Sequence, residues 1–228
     1  MVQQSTLIAK PLRIPVGQVA LDGNLNLPAQ ARGMVVFAHG SGSSRHSPRN
    51  QFVASELNKA GLATLLFDLL TLEEEEVDEY TAQLRFDIGM LADRLVGVTD
   101  WLATQPETRD LTIGYFGAST GGGAALVAAA QRPQAVKAVV SRGGRPDLAG
   151  DALPYVQAST LLIVGGEDAP VIEMNREALD QLRCEKRLEI VPGATHLFEE
   201  PGALEVVAQL ARDWFQNHLS PIQPASAL

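Results

Sequence analysis

Gly117-Ala118-Ser119-Thr120-Gly121 follows the apolar run Leu111 to Phe116 and precedes the small-residue run Gly122 to Ala130. A serine is thereby set at a sharp strand-to-helix turn, with its Oγ on the outside of the bend. The flanking glycines stand where a Cβ would meet the neighbouring strand and helix. A serine hydroxyl is a poor nucleophile at neutral pH. It needs a base in hydrogen-bond reach, and that base needs a third group to fix its tautomer and stabilise its protonated form. Of the 4 histidines, His196 is the best placed, in Pro192-Gly193-Ala194-Thr195-His196 directly after the apolar run Leu188 to Val191. His39 lies beside a glycine-rich turn, His46 in the loop that follows it, and His218 near the end of the last helical pattern. The acid is offered twice, by Glu167 and Asp168 in Gly165-Gly166-Glu167-Asp168, and local chemistry does not choose between them. Serine attack on a carbonyl also builds an oxyanion that needs preorganised N–H donors. Thr120 opens the helix after the turn, where the dipole assists, and Ser41 in His39-Gly40-Ser41-Gly42 offers a second backbone N–H.

These groups are useful only if the fold gathers them. Gly33 to Ala38, Leu62 to Phe67, Leu111 to Phe116, Val136 to Ser141 and Thr160 to Val164 are short continuous apolar runs, the pattern of parallel strands buried on both faces. Helical stripes separate them. Leu84, Ile88, Leu91, Leu95, Val98 and Leu102 recur at alternating spacings of four and three, and Leu204, Val207, Ala208, Ala211 and Phe215 repeat the device. Arg13 to Leu27 alternates apolar and polar residues around Gly17 and Asp22-Gly23, which predicts an antiparallel hairpin at the sheet edge. The expectation is an α/β fold: a mostly parallel twisted sheet with that N-terminal edge hairpin and helices on both faces. In such a sheet ligands bind beyond the carboxyl ends of the strands. The serine, both acids, His196 and the His39 turn all fall there.

The chain has 228 residues, 46% of them hydrophobic, enough for one α/β domain with a core over about residues 13–218 and a frayed tail over 219–228. The net charge of -9 comes without a Lys/Arg-rich block, so nucleic acid and anionic membrane surfaces are not expected partners. Residues Met1 to Pro15 lack the apolar core of a signal peptide, and no stretch approaches the roughly 20 apolar residues of a bilayer span. A cytoplasmic protein is expected, as a monomer or homodimer. Cys184, the single cysteine, excludes an internal disulfide and is read as lying in a polar helical segment. The histidines and acids show no close metal-ligand spacing such as H-E-x-x-H, and no cofactor is implied.

At these residues the chain resembles the α/β-hydrolase superfamily, and within it the small, nearly lidless proteins grouped with dienelactone hydrolases. Gly117-Ala118-Ser119-Thr120-Gly121 matches the nucleophile elbow and His39-Gly40-Ser41 the oxyanion-loop signature. Asp168 and His196 match the acid and base in the order nucleophile, acid, histidine, over a resemblance running from about Arg13 to His218. It implies an α/β-hydrolase fold with Asp168, rather than Glu167, as the acid. Two departures stand out. Dienelactone hydrolases carry a cysteine at the elbow where this chain has Ser119. Where many relatives insert a helical cap, only Arg142 to Ser159 separates two strands here, which implies a minimal cap and an open site.

Around that site Arg45, Arg49, Arg142 and Arg145 follow strand ends, where a guanidinium could line the mouth and offer a bidentate contact to a carboxylate or phosphate. Ordinary surface pairing with nearby acids is the commoner outcome. Glu73 to Glu76 follows another strand and reads most simply as a solvated helix start or loop. The expected function is a serine hydrolase of small carboxylic esters, with Ser119, His196 and Asp168 as the triad. Thr120 and Ser41 supply the oxyanion donors, and His39 and Arg142 serve as substrate contacts. Thioesters, amides and peptides suit the same machinery. A non-catalytic ligand-binding protein of the same fold is the rival from another class.

Overall fold

In a computed structural model residues 7–219 are described. Eight strands form one sheet: β1 (Leu7–Val16), β2 (Val19–Pro28), β3 (Met34–Ala38), β4 (Ala63–Phe67), β5 (Ile113–Ala118), β6 (Val136–Arg142), β7 (Ser159–Gly165) and β8 (Lys186–Val191). They lie in the order β1-β2-β4-β3-β5-β6-β7-β8. From β4 to β8 every neighbouring pair is parallel, while β1 and β2 form the antiparallel edge. The hairpin turns at Gly17, whose φ of 59° is in the left-handed region glycine favours. Asp22-Gly23, read as a turn signal, lies inside β2 instead. There Gly23 leaves room for the side chains of Ile14, Leu65 and Phe67, which would meet a Cβ at 3.2 to 3.3 Å.

The continuous apolar runs are strands because each buries both faces. In β3, Met34, Val36 and Ala38 point into one core and Val35 and Phe37 into the other. The first core is closed by α3 (Ile88–Leu102), α4 (Thr120–Gln131) and α5 (Ala169–Gln181), the second by α1 (Pro48–Lys59) and α6 (Ala203–His218). The stripe that begins at Leu84 is not one helix. Asp87 caps α3 by accepting from the Met90 N–H at 3.0 Å, so Leu84 falls in a separate 3-10 turn, Leu84–Phe86. The acidic run forms α2 (Leu72–Thr81), a full helix started by a reciprocal Thr71–Glu74 capping box. Cys184 lies in the bend between α5 and β8, not in a helix. The short cap expected between β6 and β7 is a 3-10 segment, Pro146–Tyr155. Of the tail expected over 219–228, Leu219 is described and is buried in the second core, and residues 220–228 lie outside the described residues. Among the described residues no helix is long and apolar enough to cross a membrane.

Candidate active site

Ser119 sits between β5 and α4 with φ 51° and ψ -122°, a backbone conformation sparsely populated outside glycine. Its neighbours hold it there. The Ser119 N–H donates to Arg142 O at 3.2 Å, and its carbonyl accepts from the N–H groups of Gly122 and Arg145 at 2.9 and 3.0 Å. The two glycines of the pentapeptide are each required by a close approach. A Cβ on Gly117 would lie 2.6 Å from Gly121 O and Gly122 Cα, and one on Gly121 would run into the carbonyls of Ala38 and His39. The bend is therefore wedged between the start of its own helix and the end of β3.

His196 and Asp168 come from adjacent strand ends. The turn after β7 is stitched to the loop after β8 by Gly166 N–H to Val191 O at 2.8 Å and Glu167 N–H to Ala194 O at 3.0 Å. That stitching leaves Glu167 exposed and turns Asp168 inward, where its Oδ2 accepts from His196 Nδ1 at 2.7 Å. With Nδ1 donating, the Nε2 lone pair is left to accept a proton. The Asp168 side chain is 15% exposed and the imidazole 39%, so the acid is shielded while the base opens outward. The loop after β6 joins this pair to the serine. Arg142 O receives the Ser119 N–H, and a Cβ on the next residue, Gly143, would stand 3.5 Å from Cε1 and Nδ1 of His196.

The His39 loop is pinned to the end of β4. Leu69 N–H donates to His39 Nε2 at 3.0 Å, so Nδ1 carries the proton and donates to Gly40 O at 3.0 Å. Burial holds the imidazole pKa below its ordinary value, opposed by the Gly40 carbonyl and by Asp68. His39 was expected to contact substrate. Both ring nitrogens are committed to the backbone, which fixes the loop, and the residue lines the cavity beside it. Asp68, at the β4 end, accepts from the Arg45 N–H at 2.7 Å and pairs with the Arg45 guanidinium. Sequence reasoning missed Asp68 and Leu69, although they follow a strand run as directly as the other rim residues do.

Ser41 and Thr120 meet, but not as two parallel donors. The Ser41 N–H donates to Thr120 Oγ1 at 3.0 Å, so the amide expected to face a reacting carbonyl is engaged by a side chain. Among the described residues the Thr120 N–H has no acceptor, as the first turn of a helix leaves it.

Of the four arginines near the rim, Arg45 pairs with Asp68, Arg49 with Glu199 at 2.8 Å and Arg145 with Asp147 at 2.7 Å. Arg142 differs. It is 6% exposed, and among the described residues no carboxylate pairs with it. Its Nη2 reaches Asn50 Oδ1 at 3.5 Å, and its guanidinium lies 5.8 Å from the Phe198 ring centroid. Burial, aided by Arg49, pushes its pKa down to about 10. A cavity of about 290 Å³ adjoins the His39 loop, walled by Ser41, Thr120 and Glu75 of α2 and floored by Leu69, Leu70 and Leu91. The acidic run thus reaches this cavity through Glu75, whose pKa is raised by burial and then by Asp68. Glu74 turns away to Arg94 at 2.6 Å.

The model of the dienelactone hydrolase family matches residues 21–225. A dienelactone hydrolase crystal structure from Anabaena variabilis ATCC 29413 is 66% identical, with a TM-score of 0.92, and the match covers 93% of this chain and 99% of that one. Est1E from Butyrivibrio proteoclasticus has a TM-score of 0.75 at 16% identity, over 91% and 98% of the two chains. It shares the fold alone. Proteins of two Mycobacterium tuberculosis strains, CDC 1551 / Oshkosh and ATCC 25618 / H37Rv, are 61% identical over 208 residues and bear the name "Putative phosphoribosyl transferase". The match covers 91% of this chain and 46% of each of theirs, so the chain spans about half the length of these curated relatives.

Proposed function

The chain belongs to the dienelactone hydrolase family, and from that premise we propose that it is a serine hydrolase cleaving small carboxylic esters. The observation that carries the reading is the 2.7 Å hydrogen bond between Asp168 and His196, with His196 set beside Gly143, the residue after the Arg142 whose carbonyl receives the Ser119 N–H. Ser119 Oγ attacks the ester carbonyl and its proton passes to His196 Nε2. Asp168 stabilises the resulting imidazolium. The tetrahedral oxyanion lies against the Thr120 N–H and the Ser41 turn. The carbon–oxygen bond to the alcohol then breaks, His196 returns its proton to the departing oxygen, and an acyl-serine remains. Water, deprotonated by His196, attacks that acyl group. The acid is released and Ser119 regains its proton.

The cavity beside the oxyanion loop, at about 290 Å³, suits a small acyl or alcohol portion rather than a long chain. Arg142, a buried cation without a carboxylate partner among the described residues, is assigned a contact to an oxygen of the substrate. The transferase name of the Mycobacterium tuberculosis relatives attaches to proteins more than twice as long as the matched stretch, and it is not carried over. Asp168→Asn tests the reading. On a short-chain p-nitrophenyl ester it should lower kcat by about 10³ to 10⁴, because an amide orients the wrong tautomer of the base. Turnover unchanged in Asp168→Asn would contradict the proposal.

A further inference from the structure

We infer that the side-chain hydroxyl of Thr120, polarised by the Ser41 amide, is the second donor to the oxyanion. This rests on the serine-hydrolase reading above. Ser41 has a single N–H, and that proton is committed to Thr120 Oγ1 at 3.0 Å. Thr120, whose hydroxyl receives it, is a buried residue. Among the described residues the hydroxyl's own proton has no acceptor, and an interior hydroxyl usually finds one in protein, water or a bound ligand. Thr120 and Ser41 both line the cavity beside the elbow. The Thr120 N–H opens α4 immediately after the nucleophile, so Oγ1 and the backbone N–H belong to one residue next to the serine that forms the oxyanion.

The chemistry follows from the order of the bonds. An N–H donating to a hydroxyl oxygen makes that hydroxyl a better donor, since linked hydrogen bonds polarise one another. As negative charge grows on the former carbonyl oxygen, it is met by the Thr120 N–H and the Thr120 O–H, with Ser41 acting through the second. No proton changes owner in this contact. His39 supports it at one remove, because its two backbone hydrogen bonds fix the turn that holds Ser41. Ser41 and His39 are thus positioning residues, and Thr120 is the one that touches the reacting oxygen.

Thr120→Val and Thr120→Ser separate this from the alternatives. Valine keeps the shape and removes the hydroxyl, and serine keeps the hydroxyl and removes a methyl. With p-nitrophenyl acetate as the probe, Thr120→Val should lose about 10² in kcat, the loss typical of one oxyanion donor, with KM nearly unchanged. Thr120→Ser should stay within a few-fold of the unmodified protein. Valine activity equal to or above that of the unmodified protein would overturn the inference, since it would mean that the freed Ser41 N–H serves directly. Equal loss in both variants would overturn it too, by showing that the methyl and not the hydroxyl matters. Phosphonylation of the unmodified protein by a fluorophosphonate distinguishes the failures. An adduct together with an unimpaired valine variant removes the hydroxyl's role alone, whereas no adduct and no turnover removes the serine-hydrolase reading and this inference with it.

Discussion

Replacing Ser119 by glycine should make the protein more stable while removing its proposed nucleophile. At φ 51° and ψ -122° a residue with a Cβ is strained by about 1 to 3 kcal/mol, and glycine adopts the same conformation almost freely. Against this, glycine gives the unfolded chain more freedom, which costs about 0.4 to 1 kcal/mol. The net expectation is a gain of about 1 kcal/mol, or about 2 to 4 °C in Tm for a chain of this size. Ser119→Ala keeps the Cβ and hence the strain, so it is the control. The assay is a thermal melt of the three proteins side by side at neutral pH. The reasoning predicts the order glycine above alanine, with alanine near the unmodified protein. A glycine variant no more stable than the alanine variant would refute the claim that the turn stores strain at Ser119.

Gly121→Ala should fail more broadly. Its Cβ would run into the Ala38 and His39 carbonyls, and neither backbone can yield without moving β3 or the His39 loop. A fall in Tm of several degrees with loss of turnover is expected, and an unchanged melt would contradict that packing. His39 gives a pH test. Its folded pKa lies below the ordinary 6.5, so the unfolded chain takes up the proton first as pH falls. The stability due to neutral His39 is therefore complete above about 6.5 and is lost below it. His39→Leu, which leaves the buried Leu69 N–H unpaired, should cost about 1 to 3 kcal/mol at neutral pH. The gap in Tm between the two proteins should narrow on moving to pH ~5, and a constant gap would show that His39 is not held neutral.

The strands and the rim were legible in the sequence for one physical reason. A parallel strand buried on both faces has no polar side to interrupt it, so Val35, Val36 and Phe37 read as one block although they face two cores. The residues after such blocks are forced to the same edge, which is how Ser119, Asp168 and His196 could be grouped before any coordinates. Helices were legible only where the apolar stripe was strong. α1 buries Asn50 among its apolar contacts and α2 buries only Asp78, so neither shows a clean stripe. Where backbone hydrogen bonding decides the outcome, periodicity gives no warning. Asp87 interrupts a regular stripe by capping, and Gly23 stays in a strand because its neighbours need the space. The preference for Asp168 over Glu167 depended on a resemblance; in the structure Asp168 is the one that meets His196, and Gly166 and Glu167 are stitched to the next loop. The role proposed for the Thr120 hydroxyl rests on its contact with the Ser41 N–H, which no spacing in the sequence announces.

The most direct test of the central claim is the intact mass of the protein after exposure to a fluorophosphonate, with Ser119→Ala treated alongside. The account predicts one covalent adduct on the unmodified protein and none on the alanine variant, because only a serine whose proton can pass to a base attacks the phosphorus at a useful rate. An unmodified protein that stays unlabelled, or an alanine variant labelled equally well, would contradict it.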